Sequence, residues 1–230
     1  MGRTALRDGL ALFGLAFLAF AVWWFAAHAV TRGLGAVSGD AEAQGRFAGN
    51  GGLGPLGLYL HMIFGGIISL LALLQWAGPV RRRWPLVHRL SGRLVAGVAA
   101  LTAVGGLTYI ALEGTIGGPQ MSAGFTLYGV LMLVAAVQAP RLAMAGGYTR
   151  HRRWAVRLIV LCLASWLYRV HYGVFYAIQC PDDAAACVPW STPEFSGLFD
   201  LIQNWAFYLP YLILAEIWLR LTPNDPRKDR

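Results

Sequence analysis

The chain has 230 residues, of which 57% are hydrophobic and only 13% are charged, and its formal net charge is +8. Soluble domains carry about 25% charged residues, so this composition excludes a cytosolic enzyme and a disulfide-stapled secreted module. The apolar residues form six blocks of roughly 20 residues each, which is the length that a helix needs to cross a bilayer.

These blocks predict an all-α, integral membrane six-helix bundle. Helices are favoured over a β-barrel because the apolar runs are continuous rather than alternating. The predicted spans, numbered one to six, cover about residues 9–31, 56–79, 93–116, 123–143, 155–178 and 196–219.

Three regions follow from this division of the chain. Residues 1–55 comprise an N-terminal transmembrane helix and a Gly-rich, flexible outer loop over about 33–55. Residues 56–180 comprise a four-helix membrane core, and residues 181–230 an outer loop, the sixth helix and a basic cytoplasmic tail. Span one is expected to be retained rather than cleaved, because its apolar run exceeds the roughly 7–15 residues typical of a signal peptide.

Basic residues lie almost entirely on one side of the predicted spans. Of the 19 Lys and Arg residues, 16 lie at one side, Arg32 and Arg46 lie at the other, and Arg169 lies inside span five. Loops rich in Lys and Arg stay in the cytoplasm. The sequence therefore predicts a multi-pass inner-membrane protein with both termini in the cytoplasm. The positive charge then reflects topology and contact with anionic membrane lipids, not nucleic-acid binding.

Spans two and three resemble spans four and five. Four positions recur 63 residues later: Gly66 as Gly129, Gln75 as Gln138, His88 as His151, and Thr102 as Ser165. Two like hairpins in the same orientation predict a duplicated core, helices 2–3 and 4–5, around a pseudo-two-fold axis along the membrane normal. Spans one and six would flank this core.

His88 and His151 are each followed by Arg and open their helices at the cytoplasmic interface. Two imidazoles converging from facing helices suit the iron of a low-spin haem b. Arg93 and Arg157 would then hold acidic groups such as the haem propionates. The same residues suit a quinone or a phospholipid headgroup equally well, because His and Arg donate hydrogen bonds to such oxygens. The remaining alternative is an interfacial His-Arg pair satisfied by headgroups and backbone.

His61 lies on a polar stripe of span two and is expected to face the same core, so we include it among the cofactor-binding candidates. A metal site formed by His28, His61 and His171 is a further alternative, although these residues have no ligand-spacing signature. Each lone His is otherwise explained as a hydrogen-bonded core residue.

Arg169 lies near the middle of span five. A central Arg costs at least ~2.5–3.5 kcal/mol even on the most lenient insertion scale, so it is expected to have a partner. Glu113 is expected first and Asp200 second. The arrangement would serve either ligand binding or a buried ion pair that fixes helix register.

Cys180 and Cys187 lie in the loop predicted to be outside, with six residues between them. A disulfide is expected there if the loop faces an oxidising compartment, and two free thiols are the alternative.

The histidines and arginines of the core also carry a resemblance to a known family. The stretch from His61 through Gln75, Arg81, His88-Arg89 and Gly92-Arg93 to His151-Arg152-Arg153-Trp154, Arg157 and Arg169 resembles the bacterial membrane proteins grouped as domain of unknown function 2306. The resemblance covers about residues 56–176. It implies a multi-helix inner-membrane protein whose His and Arg positions matter. A weaker likeness is to dihaem b-type cytochromes, which place four His on core helices. Span four of this chain has no His.

The leading functional hypothesis is a membrane redox module that binds haem b or quinone near the cytoplasmic side, with a quinone or a redox protein as its partner. The alternative is a small-molecule or lipid transporter whose polar path follows the face of Arg169 and Glu113. A third hypothesis is a non-catalytic partner subunit. The sequence leaves open whether the protein is an enzyme.

Overall fold

The computed structural model describes residues 3–49, 51–181, 187–188 and 190–222. No strand forms in these ranges, and Gly45–Phe47 is a 3₁₀ turn. The helices are α1 (Arg3–Val37), α2 (Ala41–Gln44), α3 (Leu53–Trp76), α4 (Gly78–Arg83), α5 (Pro85–Glu113), α6 (Gly118–Met144), α7 (Tyr148–Gln179), α8 (Leu198–Ala206) and α9 (Leu209–Leu221).

Within the described residues, six helical segments are long and apolar enough to cross a membrane. They are Asp8–Val37, Leu53–Trp76, Pro85–Glu113, Gly118–Met144, Tyr148–Gln179 and Leu198–Leu221. The predicted all-α six-span bundle is therefore confirmed. Helices α5 and α7 begin about seven residues earlier than spans three and five were placed, because hydropathy detects only their apolar part and misses the basic first turns.

Span six is interrupted between α8 and α9, at Phe207 and Tyr208. Pro210 lies in the first turn of α9 and has no backbone N–H to continue the helical bonding from α8. The interruption places two fully buried aromatic side chains, Phe207 and Tyr208, in the middle of the bundle.

The core is a ring of four helices. Helix α3 packs on α5, α5 on α6, α6 on α7, and α7 closes the ring against α3, while α1 lies outside α3. Two hairpins related by a two-fold axis would have this order of neighbours, although the duplication itself stays a prediction. Fully buried alanines line the contacts, including Ala72, Ala99, Ala135 and Ala164. Small residues let helices approach closely where burial of apolar surface gives no driving force, as in lipid.

Helices α3 and α5 are in close contact at two glycines. A Cβ atom on Gly57 would lie 2.7 Å from the carbonyl oxygen of Gly105, and one on Gly105 would lie 2.5 Å from the carbonyl oxygen of Gly57. The two backbones therefore touch directly at this point.

The prediction of a flexible loop over 33–55 is wrong for most of its length. Helix α1 continues to Val37, and the carboxylate of Asp40 accepts the backbone N–H of Glu42 at 2.9 Å to cap α2. The side chain of Gln44 donates to the carbonyl of Ala36 at 2.9 Å. This polar, Gly-rich segment therefore forms a capped helical turn that packs back onto α1.

The two ends of the bundle differ in chemistry. We call the end with the α4–α5 and α6–α7 connections the arginine-rich face, and the opposite end, where α7 finishes, the disulfide face. Cys180 and Cys187 are joined there by a disulfide with a Cα–Cα distance of 5.7 Å. Which face lies in the cytoplasm stays a prediction.

Candidate functional site

A cavity of about 420 Å³ lies among the helices of the ring and α1, in the half of the bundle nearer the disulfide face. Helices α1, α3, α5, α6 and α7 all contribute to its wall, and Phe207 contributes from the break in span six. The wall is mainly apolar and aromatic, with Met62, Met121, Phe125 and Met132 among its members. Ligand cavities in proteins are typically about 300–1,000 Å³, so this space suits a small organic molecule.

The charged residues of this wall are all basic. They are Arg32, Arg46 and Arg169, together with the imidazoles of His28 and His61, and no Asp or Glu lines the cavity among the described residues. Tyr109, Tyr128 and Tyr168 add hydroxyl groups. The cavity therefore offers positive charge and hydrogen-bond donors inside an apolar enclosure.

Arg169, in the spanning helix α7, supplies one of these charges; its side chain is exposed where it lines the cavity, and the expected partners are not beside it. Its guanidinium donates to the carbonyl of Ser165 on its own helix at 3.2 Å and lies 4.7 Å from the ring centre of Phe25 on α1. No described carboxylate lies within ion-pair distance of it. The predicted ion pairs with Glu113 and Asp200 are therefore wrong, and the guanidinium is open to the cavity.

Both expected partners are engaged elsewhere, which is the physical reason for this correction. The carboxylate of Glu113 lies against the first turn of α3, only 2.6 Å from where a Cβ on Gly54 would be, and a helix N-terminus favours negative charge. Asp200 is fully buried and accepts four hydrogen bonds. Its donors are the hydroxyls of Tyr172 and Ser191 and the backbone N–H groups of Thr192 and Gly197.

His61 is held in one orientation by a neighbouring helix. Its Nδ1 lies 2.8 Å from the carbonyl oxygen of Thr102 on α5. A carbonyl only accepts, so Nδ1 carries the proton and the other ring nitrogen, Nε2, is left for the cavity. Close packing against Gly106, where a Cβ would lie 2.9 Å from Nδ1, keeps the ring in place.

Three residues of the cavity wall were not among the predicted site residues: Arg32 and Arg46 at its mouth, and Tyr128 at its floor. Arg46 donates to the carbonyl of Pro193 at 3.1 Å and lies over the ring of Phe195, so it joins two surface segments at the cavity mouth. Arg32 and Arg46 are the two basic residues opposite the arginine-rich side. That exception to the charge asymmetry was the signal that could have identified them.

Tyr128 forms the floor and had no distinguishing sequence signal. Its side chain is 4% exposed, and its hydroxyl donates to the carbonyl of Leu161 at 2.8 Å and lies 3.3 Å from the hydroxyl of Ser165. The ring of Phe207 packs edge to face against Tyr128 and also against Tyr168, whose ring packs edge to face with Phe125.

The metal site considered for His28, His61 and His171 does not form. His28 and His61 line the cavity, but His171 lies 3.0 Å from Gln203 and 2.7 Å from the hydroxyl of Tyr211, on the other side of α7. No group of three metal-ligating side chains occurs in the part of the chain that the structure describes.

His88 and His151 lie near each other at the arginine-rich face, close enough for their charges to interact. The Nδ1 of His151 lies 2.8 Å from the carbonyl oxygen of Ala139, whereas the Nδ1 of His88 is buried and has no partner among the described residues. Neither residue lines the 420 Å³ cavity.

The arginines expected to serve these histidines are placed differently from the prediction. Arg93 is exposed, and Arg157 donates to the carboxylate of Glu216 on α9 at 2.5 Å. Arg157 therefore already holds an acidic group of the protein itself. Glu216 bonds across helices to Arg157 rather than to Arg220 on its own helix.

A larger space of about 640 Å³ lies at the arginine-rich end, between α1, α3 and α7. Its wall is apolar apart from Asp8 and Arg82, which bind each other at 2.6 Å. It has no free charge to orient a ligand, so we take the smaller cavity as the candidate site.

Comparison with known proteins identifies a family but no characterised relative. Residues 58–219 match the family described as "Predicted membrane protein (DUF2306)". No curated protein and no solved structure matches the chain. Because the family match covers well over half of the 230 residues, the chain belongs to the DUF2306 family of membrane proteins.

Proposed function

We propose that this protein binds and transports an amphipathic organic anion, a molecule with a carboxylate or phosphate head and an apolar body. The observation that carries this proposal is Arg169: a guanidinium within a membrane-spanning helix, without a described carboxylate partner, opening into a cavity whose charged residues are all basic. An Arg cannot lose its proton to avoid the cost of placing a charge within a membrane span. A bound anion would supply the missing counter-charge.

The remaining wall fits the rest of such a molecule. Methionine and aromatic side chains enclose the deep part of the cavity, and Met adapts its shape to varied apolar partners. Arg32 and Arg46 at the mouth would attract the anion, and Arg169 would hold its head.

Transport rather than storage is favoured by the break in span six. Transporters commonly place their substrate near the bilayer midplane, beside helices that are interrupted within the membrane. Phe207, at the interruption between α8 and α9, lines this cavity directly.

The test is binding of dansyl-undecanoic acid to the purified protein in nanodiscs, with the matched undecanol derivative as the neutral comparison. The acid is expected to bind and the alcohol to bind at least about tenfold more weakly, because hydrogen bonds to charged groups contribute about 1.5–3 kcal/mol. Arg169→Met should weaken acid binding about 10- to 100-fold, while the exposed Arg93→Met, at the other face, should leave it unchanged. Equal affinity for acid and alcohol, or an unaffected Arg169→Met variant, would refute the proposal.

Haem b binding at His88 and His151 is a second proposal, supported by the proximity of the two imidazoles and the unpartnered Nδ1 of His88. The two imidazoles fit a two-His ligand set, but the propionate-binding role foreseen for Arg157 does not fit, since Glu216 occupies it. A haem there would supply one-electron transfer to a quinone or redox protein. A reduced-minus-oxidised spectrum of protein from haem-replete cells decides, and a protein without a Soret band rejects this second proposal.

A further inference from the structure

We propose that the cavity takes up its anion together with one proton, which is carried on His61. This inference rests on the proposed function, since it concerns the same cavity and its ligand. It extends the function from anion binding to proton-coupled anion binding.

The tautomer of neutral His61 is fixed by its hydrogen bond to α5. Because Nδ1 donates to the carbonyl of Thr102, the neutral ring presents the lone pair of Nε2, which repels an anion's oxygen. Protonation turns Nε2 into a second donor without moving the ring. The proton therefore changes His61 from an acceptor into a donor at the site where the anion would bind.

The imidazole of His61 shares the cavity with positively charged side chains. Arg169 lies close enough to act on His61 electrostatically, and Arg32 and Arg46 share the cavity wall. With no anion bound, the positive charge of Arg169 opposes a second positive charge on the His61 ring. A bound anion reverses this effect, so anion and proton favour each other's binding.

Other titratable side chains share the cavity wall with His61. The remaining titratable residues of the wall are Tyr109 on α5, Tyr128 on α6, Tyr168 on α7 and His28 on α1. Imidazole is the side chain whose ordinary charge change falls between about pH 5 and 8, whereas that of a phenol falls near pH 10, so the two histidines of the wall are the candidates to carry the proton. His28 has no backbone bond fixing its tautomer in the described structure, which is why we assign the proton to His61.

The proton balance is simple. A hydronium ion or buffer acid of the bulk solution gives up the proton, so that its O–H bond breaks as the N–H bond of Nε2 forms. When the anion leaves, Nε2 returns the proton to bulk water or buffer base by the reverse transfer.

The experiment uses a fluorescent dansyl-alkyl sulfonate as probe in nanodiscs, because a sulfonate stays charged across the whole range and contributes no proton of its own. The dissociation constant is measured between pH 5.5 and 8.5. One linked proton strengthens binding as pH falls, by up to about tenfold per pH unit. His61→Gln should abolish this dependence, and His171→Gln, whose side chain lies away from the cavity, should retain it.

A second measurement needs no variant. Mixing wild-type protein with the sulfonate in weak buffer that contains a pH indicator should take up as much as one proton per probe bound. Binding with neither proton uptake nor pH dependence would overturn this inference and leave the proposed function standing. A pH dependence lost in His28→Gln but kept in His61→Gln would overturn it too. No binding of the sulfonate together with no binding of dansyl-undecanoic acid would reject the proposed function itself.

Discussion

The sequences of the hairpin α3–α5 and the hairpin α6–α7 match toward one end of the bundle and differ toward the other. Toward the arginine-rich face, matched positions hold the same side chains, as in Gln75 and Gln138 or His88 and His151. Toward the disulfide face, positions at the same 63-residue separation exchange large and small residues: His61 corresponds to Gly124, and Gly106 corresponds to Arg169.

This exchange explains where the cavity lies. In the first hairpin the large His61 packs on the small Gly106, so α3 and α5 close against each other. In the second hairpin the small Gly124 packs instead against the backbone of Asn204 on α8, and Arg169 is left facing inward. The basic ligand-binding side chains thus lie where the two hairpins diverge, and the matched Gln and His pairs lie toward the opposite end.

The largest expected effect tests the close packing of the first hairpin. Gly105→Ala should reduce the free energy of unfolding by about 2–3 kcal/mol, because the added Cβ would meet the carbonyl oxygen of Gly57 at 2.5 Å. Gly97→Ala on the same helix is the control, since nothing lies within 4 Å of its Cβ position, and it should be neutral or stabilising by up to about 1 kcal/mol. Thermal or denaturant unfolding in detergent measures both. Equal effects at the two glycines would mean that α3 and α5 are not in backbone contact.

The next effect concerns the disulfide at the end of the second hairpin, which the first hairpin lacks. Cys180 directly follows α7, and its bond to Cys187 closes a short loop. Replacing both by Ser should lower stability by about 2 kcal/mol, as expected for a loop of this length. Reductant should lower the melting temperature of the wild type but not of the double variant. If both thiols react with an alkylating agent before reduction, the bond is not formed in the protein.

The elements of this fold were predictable where they depend on local composition. Six apolar runs predict six spans because run length is a property of the sequence alone. The segment 33–55 was misjudged because one capping residue, Asp40, outweighs its Gly-rich composition. The break in span six depends on Pro210, whose effect is local and could have been foreseen.

The site was predictable only in part, because it depends on how helices are rotated against each other. Helical phase identified Arg169 and His61 as inward-facing, but it gives no distance between helices, so Glu113 was assigned as a partner across a gap that the fold does not close. Tyr128 reads like any other aromatic of an apolar run. Its role at the cavity floor appears only when α6 and α7 are packed.

A smaller effect is expected from the ion pair that ties the second hairpin to span six. Arg157 binds Glu216, while the matched position of the first hairpin is the exposed Leu94. Both partners are partly buried, so Arg157→Met and Glu216→Gln should each cost about 1 kcal/mol, and the double variant should cost less than their sum. The control is Arg93→Met, at the exposed residue next to Leu94, which should change stability by less than about 0.5 kcal/mol. A cycle without coupling would show that this bond contributes nothing in solution.

The smallest expected effect is the absence of coupling between Arg169 and Glu113. Arg169 contacts Ser165 and Phe25, whereas Glu113 lies over the first turn of α3, so the two side chains share no partner. Residues without shared partners change stability additively to within about 0.5 kcal/mol. A double-mutant cycle with Arg169→Met and Glu113→Gln should therefore be additive, while the Arg157–Glu216 cycle in the same detergent shows that coupling is detectable. A coupling above about 1 kcal/mol would mean that Glu113 neutralises Arg169. The cavity would then have no unpaired charge at its centre, and the reason for an anionic ligand would be lost.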